Sequence, residues 1–231
     1  MNDDLFVLKF EESLFDESTN KIKEDFTNLG VDILLATDII KEIPFVKFFL
    51  SVKNIITDIY ARHLLKNSLV FLQHLNDGSI TEKERNRFLK KISNQSSLED
   101  EVERILLLLQ RATENKKSII YAKLLKAVVK DKISFDDYHE MIEITDRIFL
   151  YDIEMLKFIS DEKEIKDKRL INYKVGRLES LGLVQNHLIM VKGSLVFVSS
   201  KDEAEENDIE KDGCFLTELG EKYIEIIYDK A

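Results

Sequence analysis

Apolar residues recur at helical spacing along most of this 231-residue chain. The most apolar segment runs from Val31 to Leu75. It predicts one helix at about 31–43 and a long one at about 45–75, separated at Pro44, because the residue before a proline resists helical geometry. Charges at Asp32, Asp38, Lys41, Glu42, Lys47, Lys53 and Asp58 interrupt the run too often for a membrane span, which needs roughly 18 apolar residues in a row. Val46, Phe49, Ile56 and Ile59 instead form a broad stripe expected to face a core. Residues 1–30 carry eight acids and three bases and read as an acidic helix or a loosely docked arm.

Further helix starts are marked by capping chemistry. The phrases "TEKE" from Thr81, "SLED" from Ser97 and "SFDD" from Ser134 each place a hydroxyl where it can accept from an orphan backbone amide. An acidic residue follows three positions later, at the positive end of the helix dipole. A weaker start follows Thr113. "VERILLLLQ" (Val102 to Gln110) is apolar nearly all round and is expected at the centre of a bundle, with Ile105, Leu106, Leu108 and Leu109 buried. Ser93 to Ser97, "SNQSS", reads as a linker.

Beyond residue 145 the period changes. "FLYDIEMLKFIS" is an amphipathic helix. In "KRLINYKVGRLESLGLVQ" (Lys168 to Gln185), Ile171, Val175, Leu178 and Leu181 make one apolar stripe. Lys166, Arg169, Tyr173, Arg177 and Ser180 occupy the opposite face, and Gly182 suits a left-handed helix stop. "LVQNHLIMV" and "SLVFVSS" then alternate as two strands around a turn at Lys192-Gly193-Ser194. "CFLTELGEKYIEIIY" supplies a short strand, a Thr217 cap and a closing helix.

This order of helices, hairpin and helix, with "VGRLESLGLV" followed by "FLTELGEKYIEII", resembles the winged-helix family over residues 145–231. The resemblance implies a recognition helix running into a wing. Residues 1–144 resemble helical bacterial proteins of unknown function. The expected fold is therefore mainly α, a helical bundle at 1–144 followed by a winged-helix-like α+β domain with a short β-hairpin at 145–231.

Composition narrows the chemistry. Seven Gly and one Pro fit a helical chain, and the Lys, Ile, Asn and Glu bias without Trp is that of coding from an AT-rich genome, bacterial or phage. Cys214 stands alone, so no disulfide framework or cysteine zinc site is expected. The acidic N-terminus is unlike a targeting signal, and a reducing cytoplasm is the default. Two stretches, "NDGSITEKE" and "KDKISFDDY", imitate half a calcium-binding loop. Gln73, Leu75, Lys126 and Val128 stand where its first oxygen ligands belong, which excludes calcium. "HEMIE" has Glu143 where a zinc-protease helix needs a second histidine, and His139 reads as an exposed helical residue. Without a phosphate loop or nucleophile elbow, no catalysis, metal or cofactor is expected.

The basic face of Lys166, Arg169, Tyr173 and Arg177 is what DNA contact requires. Against it stand the net charge of −10 and the segment Lys201–Asp212, with seven acids and two lysines. The chain thus reads first as a regulatory protein that contacts a protein partner through its winged-helix-like domain. A DNA-binding regulator is the second reading. A conditional membrane effector using residues 31–60 is the third, disfavoured one, and a homo-oligomer stays open.

Overall fold

The structure is a computed structural model that describes residues 3–20, 26–52, 58–95, 98–161, 172–186, 188–191, 194–197 and 214–228. It is mainly helical with short antiparallel strand pairs, and it divides into two compact units, Met1–Asp146 and Arg147–Lys230.

The first unit opens with α1 (Asp3–Ser13) and α2 (Glu17–Asn20) and continues through α3 (Val31–Ala36), α4 (Asp38–Glu42) and α5 (Pro44–Ser51). Its larger helices are α6 (Ile59–Leu75), α7 (Glu82–Gln95), α8 (Leu98–Arg111), α9 (Asn115–Val129) and α10 (Phe135–Arg147). The packed pair α6 and α9 forms the centre. Leu65, Leu69, Leu72 and Leu75 of α6 and Tyr121, Leu124, Leu125 and Val128 of α9 are buried there.

Several expectations are corrected. Of the two readings for 1–30, helix or loose arm, the described residues 3–20 are largely helical and packed. Phe6, Phe10 and Leu14 are buried, and Phe10 packs edge-on against Phe45 with centroids 5.0 Å apart. Ser13 Oγ accepts from the Phe45 amide at 2.9 Å, and Asn76 donates its side-chain amide to the Leu14 carbonyl at 2.8 Å.

The predicted helix at 31–43 breaks at Thr37, whose backbone is extended. The long helix also divides: α5 stops where Val52 turns extended, and α6 restarts on Asp58, whose carboxylate accepts from the Tyr60 and Ala61 amides. This restart resets the helical phase. Val46 and Phe49 face the core, but Ile59 is 75% exposed. Ile56 lies outside the described residues. Among those residues no helix is long and apolar enough to cross a membrane.

The capping readings have mixed outcomes. Thr81 and Glu84 form the reciprocal box, the Thr81 amide donating to Glu84 at 2.7 Å and the Glu84 amide to Thr81 Oγ1 at 3.3 Å. Ser134 Oγ accepts from the Asp137 amide at 3.0 Å. Ser97 lies outside the described residues, and α7 continues to Gln95 through most of the expected linker. Helix α8 is more one-sided than its sequence suggested: Ile105, Leu106, Leu108 and Leu109 are buried, whereas Leu107 is 54% exposed. The first calcium-like turn is tied down by an ion pair, Lys126 to Asp77 at 2.6 Å.

The second unit contains α11 (Leu150–Asp161), α12 (Asn172–Ser180), β1 (Val184–Asn186), β2 (Leu188–Val191), β3 (Ser194–Phe197), β4 (Cys214–Leu216) and α13 (Glu218–Tyr228). β2 and β3 form an antiparallel hairpin, while β1 pairs with β4, Val184 opposite Leu216. Helix α12 ends on Gly182 at φ +72°. The Gly182 amide returns to Glu179 O and the Leu183 amide to Leu178 O, a Schellman stop that satisfies the last carbonyls. Thr217 Oγ1 accepts from the Gly220 amide at 2.9 Å and so caps α13. Ile153, Leu156, Val175, Leu178, Leu183, Tyr223 and Ile224 are buried and make this unit's core.

Candidate functional site

Helices α11 and α12 pack on each other through Ile153, Leu156 and Ile159 on one side and Val175 and Leu178 on the other, all buried. One acid shares that inward side: Asp152 is 1% exposed. A buried carboxylate without a partner is strongly disfavoured. Arg177 meets the requirement. Its Nε donates to Asp152 Oδ2 and its Nη2 to Oδ1, both at 2.7 Å, the parallel fork that suits guanidinium and carboxylate. These hydrogen bonds hold the Arg177 guanidinium further up its already high range.

The same guanidinium lies 4.9 Å from the Phe149 ring centroid and 5.0 Å from that of Tyr173, within cation–π range of both. Beside it, Lys174 Nζ donates to the Tyr151 carbonyl at 3.4 Å and stands 6.0 Å from the Tyr151 ring. Phe149, Tyr151 and Tyr173 are 60%, 70% and 63% exposed. Two exposed rings thus flank Arg177 and a third lies by Lys174, one helical turn away on α12.

Of the residues singled out in the sequence, Tyr173 and Arg177 come together here. Ser180 sits one turn on, exposed, with its hydroxyl donating back to the Arg177 carbonyl at 2.7 Å. Lys166 and Arg169 lie outside the described residues, as does the acidic segment 201–212. Phe149, Tyr151, Asp152 and Lys174 were not anticipated. A signal existed for Asp152: it stands four residues before Leu156 and seven before Ile159, in the buried phase of an amphipathic helix, where an acid demands a cation.

Other polar clusters serve the fold. His139, expected to be exposed, is only a third exposed, and its Nε2–H donates to Glu101 Oε2 at 2.9 Å. Glu101 is itself buried on α8, so the pair ties α8 to α10. Burial, followed by the adjacent Glu101 charge, drives the Tyr138 hydroxyl well above its ordinary range. Cys214 is buried, and burial followed by the Glu179 charge pushes its thiol up to about 11. It is thus protonated and a poor nucleophile at neutral pH. A hollow on α7 is lined by Glu82, Lys83, Asn86, Arg87 and Lys90, all from one helix, and Arg87 is already paired with Asp131 at 2.8 Å. Among the described residues no group of three His, Cys, Asp or Glu side chains is placed to hold a metal.

No protein-family model, curated protein or solved structure matches this chain.

Proposed function

We propose that this protein acts without catalysis, as a regulatory protein whose C-terminal unit is a winged-helix-like module that binds a protein partner through the aromatic face around Arg177. The observation that carries this reading is the convergence of Phe149, Tyr151 and Tyr173, each at least 60% exposed, on Arg177 and Lys174. Tyrosine and arginine are favoured anchors at protein interfaces, and clustered exposed aromatic area marks interaction surfaces. Three rings of this size, each still mostly exposed, offer on the order of 300 Å² for burial, or roughly 7 kcal/mol gross. Association itself costs about 4–15 kcal/mol, so the rings form the centre of a larger interface.

The order of α11, α12, strand, hairpin, strand and α13 supports a winged-helix-like reading of the module. Duplex DNA is the less favoured ligand, because Asp152 already neutralises Arg177 and the chain carries −10. Photocrosslinking from an unnatural residue at Tyr151 or Tyr173, in the protein's own cells, tests the reading. Discrete protein adducts from these positions, absent from a control position at Leu107, are expected. Adducts to nucleic acid alone would refute it. A duplex titration at two salt concentrations should show no appreciable binding at physiological salt.

A further inference from the structure

The charges on the aromatic face are not symmetric. Arg177 spends two donors on the buried Asp152, and its charge is balanced in place. Lys174 differs: its ammonium donates to a carbonyl and lies 6.0 Å from a ring centroid, and among the described residues no carboxylate pairs with it. Among the described residues, Lys174 is therefore a cation without a carboxylate, beside the exposed Tyr151 ring and one helical turn from Arg177 with its two exposed rings. Arg177 is also 38% exposed at its side chain, and a guanidinium has five N–H donors, so some remain for an acceptor after the Asp152 fork.

From this asymmetry we infer that the face receives an acidic, aliphatic-bearing segment of the partner, with a carboxylate on Lys174 and apolar side chains on Tyr151, Tyr173 and Phe149. The inference rests on the protein-contact reading and adds the chemistry of what is bound. A carboxylate is the group that Lys174 lacks among the described residues, and the spare Arg177 donors favour the same oxygen-rich chemistry. Aliphatic side chains fit rings whose faces are partly covered by cations, because they cover the remaining apolar area and bring no further positive charge. A basic or nucleobase-like ligand fits less well. The first would meet Lys174 as a like charge. The second would bring a dense run of phosphate charge to a chain that itself carries −10.

The test uses the full-length protein and a phage library of random fifteen-residue peptides, followed by fluorescence anisotropy with the enriched peptides. Exposed positions are the ones to change: Tyr173→Ala, Tyr151→Ala and Lys174→Glu leave the Arg177–Asp152 fork intact, and circular dichroism checks that each variant is folded. Enriched peptides are expected to hold Asp or Glu within about one helical turn of an aliphatic residue. Both Tyr173→Ala and Lys174→Glu should weaken binding by tenfold or more. Changing the peptide's acid to Lys should restore binding to Lys174→Glu.

Peptides that need Tyr173 but are indifferent to Lys174→Glu would overturn the acidic-segment inference while leaving the protein-contact reading standing. Peptides that bind the Tyr151→Ala/Tyr173→Ala protein as well as the parent would overturn both. So would a library without any enriched sequence. A single-stranded dT12 probe that binds and is released by Tyr173→Ala would assign the face to base stacking, and would likewise overturn both.

Discussion

Asp152 and Arg177, 25 residues apart in the chain, meet in a two-point fork between α11 and α12. Asp152 is fully enclosed while the arginine reaches the surface. The fork both holds the helices in register and presents the guanidinium between two exposed rings. Arg177→Ala would leave a buried carboxylate without its partner, whereas Asp152→Leu combined with Arg177→Met would remove both charges. Breaking a buried pair from one side is costly, and replacing both members is often neutral. Thermal unfolding should therefore rank Arg177→Ala below the double variant. The opposite order would mean that Asp152 finds another partner.

Two glycines of the second unit should respond in opposite ways. A Cβ at Gly220 would overlap the Leu183 carbonyl oxygen, whereas one at Gly176 meets nothing within 4 Å. Gly220→Ala should force α13 away from the start of β1 and visibly lower the unfolding temperature. Gly176, inside α12, carries only the entropic cost of glycine in a helix. Gly176→Ala should stabilise by about 0.4–1 kcal/mol in chemical denaturation.

Adjacent positions of α8 separate core from surface. Leu109 is 0% exposed and Leu107 is 54% exposed. Leu109→Ala should cost about 2–5 kcal/mol through lost burial and the cavity left behind. Leu107→Ala should stay within about 0.5 kcal/mol of the parent. Equal losses at both positions, read from denaturant midpoints, would contradict the orientation of this helix.

The Asp77–Lys126 pair should leave its mark at both ends of the pH range. Burial raises the Asp77 carboxyl, but hydrogen bonds from Lys126 and Ser79, with the Lys126 charge, carry it below its ordinary 3.8. A carboxyl depressed by folding contributes stability above 3.8, and that share is lost as pH falls through the lower, folded value. Stability of the parent should decline more steeply in that acid window than stability of Asp77→Asn. For Lys126 burial is the largest influence and lowers the ammonium below 10.5, with Asp77 opposing it. Between the lowered value and 10.5 the unfolded chain binds more protons, so this group makes stability rise with pH there. Lys126→Met should lack that rise in denaturation curves recorded across the window.

The features legible in the sequence are those whose partners lie within one helical turn. Thr81 with Glu84, Ser134 with Asp137, and Thr217 with Gly220 satisfy backbone groups three residues away, so short phrases disclose them. Gly182 is readable for the same reason, since a left-handed stop needs only a residue without a side chain. Periodicity likewise discloses that Val175 and Leu178 face inward. It does not disclose where phase is lost. The extended residues Thr37 and Val52 divide what looked like continuous helices, and the new start on Asp58 turns Ile59 out to solvent.

By itself, then, the sequence determined a mainly helical chain, most of its helix starts, and the strand and hairpin region after α12, because hydrogen-bond capping and hydrophobic phase act over a few residues. Only the tertiary structure decided which charges are matched. Glu101 and His139 are 38 residues apart and Asp152 and Arg177 are 25 apart, and no local pattern couples such positions. Burial makes each pairing obligatory, since a carboxylate removed from water must find a donor wherever packing brings one. That is why Arg177, a basic residue on a polar face in the sequence, is in the folded protein neutralised by Asp152 and set between two exposed rings.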